Sequence, residues 1–126
     1  MEFALALILF LVLLMGVFDL GRGIYQWNGV SQAAREIARV TSVHPGATLG
    51  TSAQTAAVVA TQQGLIPNLG NPTFECVDIT GAPTSGTCRP GDWVRVRIAA
   101  PWSAVTPLLG MIGSLNIESS SSIQIP

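Results

Sequence analysis

The sequence is short of charged residues, cysteine and histidine, and each shortage excludes a class of function. Six basic and seven acidic side chains leave a net charge of −1. That balance gives no general electrostatic attraction to nucleic acid or to acidic membranes. Two cysteines and one distant histidine do not make a tetrahedral metal site. The sequence also has no G-x-S-x-G elbow and no phosphate-binding loop, so we expect no enzyme, no cofactor and no metal.

A long uncharged run stands at the start of the sequence. Phe3 to Phe18 carries no charged or polar side chain. As a helix this run is about 24 Å long, against ~30 Å for the hydrocarbon core of a bilayer. Leu20, Ile24 and snorkelling by Arg22 could cover the difference. The run lacks the positive start and the small-x-small cleavage site of a secretory signal peptide. It therefore predicts a segment for lipid or for a buried filament core.

The helical pattern continues past Asp19 to about Val43. Apolar residues recur every three or four positions and predict one buried stripe, formed by Leu20, Ile24, Trp27, Val30, Ala34, Ile37 and Val40 or Thr41. His44-Pro45-Gly46 predicts the end of the helix, because the residue before proline avoids helical geometry. Two i,i+3 pairs, Asp19 with Arg22 and Glu36 with Arg39, add tenths of a kcal/mol each.

After this helix we expect a second, short helix and a small sheet. Thr51–Gln63 has helical character, with Thr51 and Gln54 as a capping box and Gly64 as the stop. Three later segments alternate apolar and polar residues and predict strands: Phe74–Thr80, Asp92–Ala99 and Leu115–Ile125. The apolar segment between the last two strands is broken by prolines, and we expect it to cover the core or to contact a neighbour.

The predicted fold class is therefore α+β. A long helix at residues 1–43 consists of a membrane or filament-core half, 1–19, and an amphipathic half, 20–43. It carries a small extracytoplasmic head at residues 44–126, in which the short helix and the antiparallel sheet pack on the long helix.

The two cysteines flank a short segment that holds Gly81, Pro83 and Gly86. Because the apolar run places the head outside the cytosol, where disulfides persist, we expect Cys76 and Cys88 to form one. Closing so short a loop would stabilise the fold by about 3 kcal/mol. Two unrelated buried thiols are the alternative.

One strand carries a candidate binding face, on which Trp93, Arg95 and Arg97 lie together. Basic residues beside an aromatic ring can bind single-stranded nucleic acid. In a nearly neutral domain we favour a solvated face or a contact between subunits, and nucleic acid is not expected as a partner. Glu75, Asp78 and Asp92 are candidate calcium ligands, but their spacing fits no EF-hand.

Together the N-terminal residues resemble the TadE-like family, pilin-like proteins of the tight-adherence (Tad) branch of type IV pilus systems. The resemblance rests on three motifs: Glu2-Phe3-Ala4-Leu5, Asp19-Leu20-Gly21-Arg22-Gly23, and a pattern of Tyr25, Asn28, Val30, Ser31 and Ala33-Ala34-Arg35-Glu36. It covers about residues 2–39. Weaker likenesses continue in the Val-Arg-Val strand, in Pro107-Leu108-Leu109 and in the serine-rich last strand.

The resemblance implies a structural subunit of an extracellular pilus filament that serves surface attachment. It implies a precursor trimmed by a prepilin peptidase, held in the inner membrane and extracted by the ATPase-driven Tad assembly platform into a filament of identical subunits. In such filaments a glutamate near the N-terminus neutralises the N-terminal amine of a neighbour, a role that Glu2 would take. The subunit contacts it implies are Glu2, Phe3, Leu5, Gly16, Asp19, Gly21, Arg22 and Gly23.

Several alternatives stay open. The chain is a main pilin, a minor pseudopilin that primes or caps assembly, or a membrane-tethered binding domain that never polymerises. Gly16, Gly21 and Gly23 are either tolerated helix glycines or a stretch that loosens when the subunit leaves the lipid. In the family's register the mature chain begins a few residues before Met1, so either a leader precedes this sequence or Met1 is the mature end.

Overall fold

One long helix carries the whole head. In the computed structural model, which describes residues 2–84, 88–106, 110–111 and 113–126, helix α1 spans Glu2–Val43. It ends where His44 and Pro45 predict. The other elements are α2 (Ala53–Leu65), β1 (Thr73–Val77), β2 (Trp93–Ser103) and β3 (Ser114–Gln124). The expected α+β fold, with a long N-terminal apolar helix, a short second helix and a small antiparallel sheet, is confirmed.

The ends of α2 differ from their predicted positions. The capping box at Thr51 is wrong: the cap is Ser52, whose hydroxyl accepts a hydrogen bond from the Thr55 N–H at 3.1 Å. Thr51 Oγ1 instead donates to the Thr48 carbonyl at 2.7 Å and closes the preceding turn. Gly64 does not stop the helix, which runs on to Leu65. A glycine tolerated one residue before the end gives the same local signal as a glycine just after it.

The sheet has the strand order β1-β2-β3, and both pairings are antiparallel. β2 is longer than predicted and runs through Pro101 to Ser103. The proline is tolerated because β1 pairs with β2 only as far as Arg97, so that at Pro101 β2 has a partner, β3, on one side alone. β1 ends at Val77, earlier than predicted, because the Asp78 side chain accepts the Thr80 and Ala82 N–H groups and turns the chain.

The core lies between the sheet and the second half of α1. Val94, Val96 and Ile98 are buried on one face of β2, as their alternation predicts. They pack with Val30 and Ile37 of α1, in a cluster that α2 and the turn after it complete. The predicted apolar stripe is only half right. From Val30 onward it is mostly buried, whereas Leu20, Ile24 and Trp27 are exposed. The head packs closely on that face only from Val30, and nearer the N-terminus it contacts α1 at Asp19 and Gly23 instead.

Candidate functional site

The head leaves the first half of α1 uncovered. From Phe3 to Phe18 nearly every side chain is exposed, and most of these side chains are large and apolar. Among the described residues, α1 is the one helix long and apolar enough to cross a membrane. A continuous apolar surface of this size needs lipid or protein to cover it. Phe3 and Leu5, which the sequence predicts as subunit contacts, both lie on this surface and are exposed.

Glu2 is the first residue of α1. Its side chain lies outside the described part of the chain, so its pairing with a neighbouring amine stays a prediction.

The glycines predicted as contacts do not interrupt the helix. α1 is continuous through Gly16, Gly21 and Gly23. Apart from neighbouring residues and the helix's own backbone, no heavy atom of the described residues lies within 4 Å of where a Cβ would stand at Gly16 or Gly21, whereas at Gly23 the Trp102 ring lies 3.6 Å away. The first two are therefore open to a neighbour, and the third is in contact with the head.

Asp19 joins the apolar half of α1 to the distant segment between β2 and β3, residues 104–113, which we name the β2–β3 link. Its carboxylate is 3% exposed. It accepts the Val105 N–H at 3.1 Å on both oxygens and the Thr106 N–H at 2.8 Å. The Thr106 hydroxyl donates to it as well. The end of the head is thus fastened at the residue where the apolar run stops.

Arg22 completes this contact with a weaker interaction. Its guanidinium lies 3.5 Å from the Asp19 carboxylate and is half exposed. The predicted i,i+3 pair therefore exists, but the link supplies most of the hydrogen bonds to Asp19. Sequence reasoning missed Val105 and Thr106, which lie 86 and 87 residues away along the chain. The one available signal was an acidic residue directly after an apolar run.

On the outer face of the sheet the two arginines share one acidic partner. Glu75 of β1 lies 3.6 Å from the Arg97 guanidinium and 4.0 Å from that of Arg95. Trp93 lies on the same face and is partly exposed. The predicted grouping of Trp93, Arg95 and Arg97 is found, with much of its positive charge balanced by Glu75.

Cys76 and Cys88 are joined by a disulfide, as predicted, with a Cα–Cα distance of 5.5 Å. Inside the closed loop the Asp78 carboxylate accepts hydrogen bonds from the Thr80 hydroxyl at 2.6 Å and from the Thr80 and Ala82 N–H groups at 2.8 and 3.0 Å. These bonds, that of the Thr80 hydroxyl above all, hold the pKa of Asp78 below its ordinary value of 3.8.

The candidate calcium ligands have other partners. Asp78 is hydrogen-bonded within its turn, Asp92 accepts the Arg89 N–H at 2.8 Å, and Glu75 faces the two arginines. No group of three or more His, Cys, Asp or Glu side chains that could hold a metal ion occurs in the part of the chain that the structure describes.

One family model matches the start of the chain. The family model of the TadE-like protein matches residues 1–39, so the resemblance drawn from the N-terminal motifs is confirmed over that segment. TadE-like proteins are structural proteins related to the Tad pilus. No curated protein and no solved structure matches the chain.

Proposed function

We propose that this chain, whose residues 1–39 match the TadE-like family model, is a structural subunit of an extracellular Tad-type pilus filament. It polymerises through the first half of α1. The observation that carries the proposal is the bare apolar surface from Phe3 to Phe18, which the head does not cover. Lipid covers this surface while the subunit is in the membrane, before assembly. The same surface of neighbouring subunits covers it in the filament.

Dispersion and close packing favour the exchange of lipid for neighbouring helices. Long apolar side chains that interdigitate gain about 0.1–0.2 kcal/mol for each pair of heavy atoms in contact, and a buried leucine makes tens of such contacts. Small residues let helices approach closely, and Gly16 and Gly21 leave the helix surface open at two points. The apolar segment is therefore suited to a helical bundle of identical chains.

The proposal assigns a role to each remaining part of the chain. Glu2 neutralises the amine of a neighbouring subunit, because an unpaired charge in an apolar core costs several kcal/mol. The head, closed by its disulfide, forms the outer shell and carries the adhesive surface. A prepilin peptidase and the Tad platform with its ATPase are the expected partners before assembly.

Glu2 variants test polymerisation separately from folding. We expect Glu2→Ala and Glu2→Lys to leave the subunit in the inner membrane and to remove filaments from the sheared cell-surface fraction, as seen by negative-stain microscopy. Glu36→Ala is the matched control, since Glu36 lies on the same helix beside the head and, among the described residues, pairs with Arg39. Normal filaments from both Glu2 variants would contradict the assembly role of Glu2.

The abundance of the subunit separates a main pilin from a minor one. If the chain builds the filament, intact-mass spectrometry of the sheared fraction shows it as the dominant species. A trace amount beside another dominant subunit would assign it to priming or capping. If the chain is absent from the sheared fraction and detergent extracts all of it from the membrane, the chain is a tethered domain that does not polymerise.

A further inference from the structure

The end of the head nearest the apolar run exposes large apolar side chains. Val105 is 73% exposed and Met111 is 89% exposed, and both belong to the β2–β3 link. Leu115, at the start of β3, is also exposed, although its strand pattern predicts an inward position. We name these three residues the head tip. The described part of the chain leaves most of Val105 and Met111 and about half of Leu115 uncovered.

The position of the head tip relative to α1 is fixed by contacts. Asp19 holds the backbone of Val105 and Thr106 at the level where the apolar run ends. Four residues further along α1, Trp102 lies against Gly23. Between α1 and this end of the sheet is a mainly apolar groove of about 490 Å³. It is lined by Leu20, Ile24, Trp27, Trp102, Leu115 and Ile117, among others. The head tip is therefore continuous with the apolar surface of α1.

The charges around the head tip suit a lipid surface. Between Ile98 and Ile117 the sequence has no charged residue, and from Phe3 to Ala34 it has only Asp19 and Arg22. The Asp19 carboxylate is buried and hydrogen-bonded. In these two segments this leaves the half-exposed Arg22 as the one exposed charge, four residues beyond the end of the apolar run at Phe18. A long basic side chain at such a position can extend to lipid phosphates. Tryptophans such as Trp27 and Trp102 are typical of that interfacial layer.

We infer that the head tip inserts into the headgroup layer of the membrane while the subunit is membrane-bound. The inference rests on the proposed membrane placement of α1 and adds a second, peripheral attachment. The membrane then holds the subunit through α1 and through the head tip, and the two together fix the tilt of the head. Extraction into a filament withdraws the head tip from lipid along with the helix.

Tryptophan reporters in vesicles test the inference directly. The full chain is reconstituted in phosphatidylcholine–phosphatidylglycerol vesicles containing lipids spin-labelled at the headgroup or along the acyl chain. Reporters are placed singly in a background with Trp27→Phe, Trp93→Phe and Trp102→Phe. Met111→Trp reports the head tip, and Phe10→Trp reports the helix. Ile79→Trp is the matched control, because Ile79 is 85% exposed but lies at the opposite end of the sheet, just beyond β1.

The inference predicts that headgroup-labelled lipid removes most of the fluorescence of the Met111→Trp reporter and little of that of the Ile79→Trp reporter. Acyl-labelled lipid quenches the Phe10→Trp reporter. If the Phe10→Trp reporter is quenched while the Met111→Trp reporter is not, the head-tip contact is overturned and the membrane placement of α1 stands. If none is quenched, both are overturned. Shielding of the Met111→Trp reporter in filaments but not in vesicles would assign the head tip to a neighbouring subunit instead.

The native tryptophans repeat the test without new side chains. Trp102 and Trp93 lie near opposite ends of β2, about 30 Å apart in an extended strand. With Trp27→Phe and Trp93→Phe, the remaining Trp102 is quenched by headgroup-labelled lipid. With Trp27→Phe and Trp102→Phe, the remaining Trp93 is not. Equal quenching of the two would mean that the head lies flat on the bilayer or stands clear of it, and would overturn the inference.

Discussion

At the scale of single residues, the turn between α1 and α2 depends on a glycine with no tolerance for a side chain. Gly50 has φ +81°, in the left-handed region that favours glycine. The ring of Phe74 occupies the place where a Cβ would stand. Gly64, by contrast, lies inside α2 with open space around it. The same chemical change therefore has opposite effects at the two positions.

We expect Gly50→Ala to lower the free energy of unfolding by about 1–3 kcal/mol, because the new methyl group strains the backbone and displaces Phe74. We expect Gly64→Ala to raise it by about 0.5–1 kcal/mol, because alanine loses less conformational entropy in a helix. Urea unfolding of the full chain in detergent, followed by near-ultraviolet circular dichroism, measures both. Equal and small effects would show that the turn does not have the described geometry.

We expect Asp78 to make the disulfide loop sensitive to acid. Its folded pKa is held below the ordinary value of 3.8, first by the hydrogen bond from the Thr80 hydroxyl. A lowered folded pKa contributes stability that is present above the unfolded pKa and is lost as pH falls through the folded pKa. We therefore expect wild type to lose stability relative to Asp78→Asn as pH falls from about 5 to 3. Thermal melts across that pH range measure the stability of both proteins. If the melting temperatures of wild type and Asp78→Asn fall in parallel with pH, this assignment is contradicted.

At the scale of elements, the amphipathic half of α1, residues 20–43, has one sequence pattern but two different surroundings. Ile24 and Ile37 both lie on the predicted stripe, but Ile24 is exposed and Ile37 is fully buried. We expect Ile37→Ala to lower the free energy of unfolding of the head by about 2–5 kcal/mol, through lost burial and the cavity left behind. Ile24→Ala should cost under about 1 kcal/mol. Detergent-solubilised protein in urea gives both values, and similar losses would mean that the head extends further down α1.

The fastening of the β2–β3 link to α1 is the second feature at this scale. Asp19→Ala leaves the Val105 and Thr106 N–H groups without their acceptor. We expect amide exchange at these two residues to accelerate at least about tenfold, since a hydrogen bond to a charged group is worth about 1.5–3 kcal/mol and about 1.4 kcal/mol is a factor of ten. Glu36→Ala, which breaks only the exposed pair with Arg39, is the control. Unchanged exchange in Asp19→Ala would show that other contacts hold the link.

Elements were more predictable from the sequence than the contacts between them. Period-two alternation located Val94, Val96 and Ile98, and His44-Pro45 located the end of α1, because both signals are local. The contact of Asp19 with the link joins residues far apart in the chain, and no local pattern encodes it. The exposure of Ile24 could not be predicted either, because periodicity shows which face of a helix is apolar and not what covers that face.

At the scale of the whole molecule, the chain is a small closed head on a helix that the head covers only in part. α1 has 42 residues and is about 63 Å long at 1.5 Å per residue. The sheet and α2 pack on its second half, and the first half is left for lipid or for other subunits. This division of one helix between a folded domain and an external partner is what the proposed polymerisation needs.

Cryo-electron microscopy of filaments sheared from the native cells tests that central claim most directly. We expect filaments built from this chain, in which the Phe3–Phe18 segments of neighbouring subunits pack together at the centre and the disulfide-closed heads face outward. Filaments whose core is made of another chain, with this one absent from the density and from the mass spectrum of the same preparation, would contradict it.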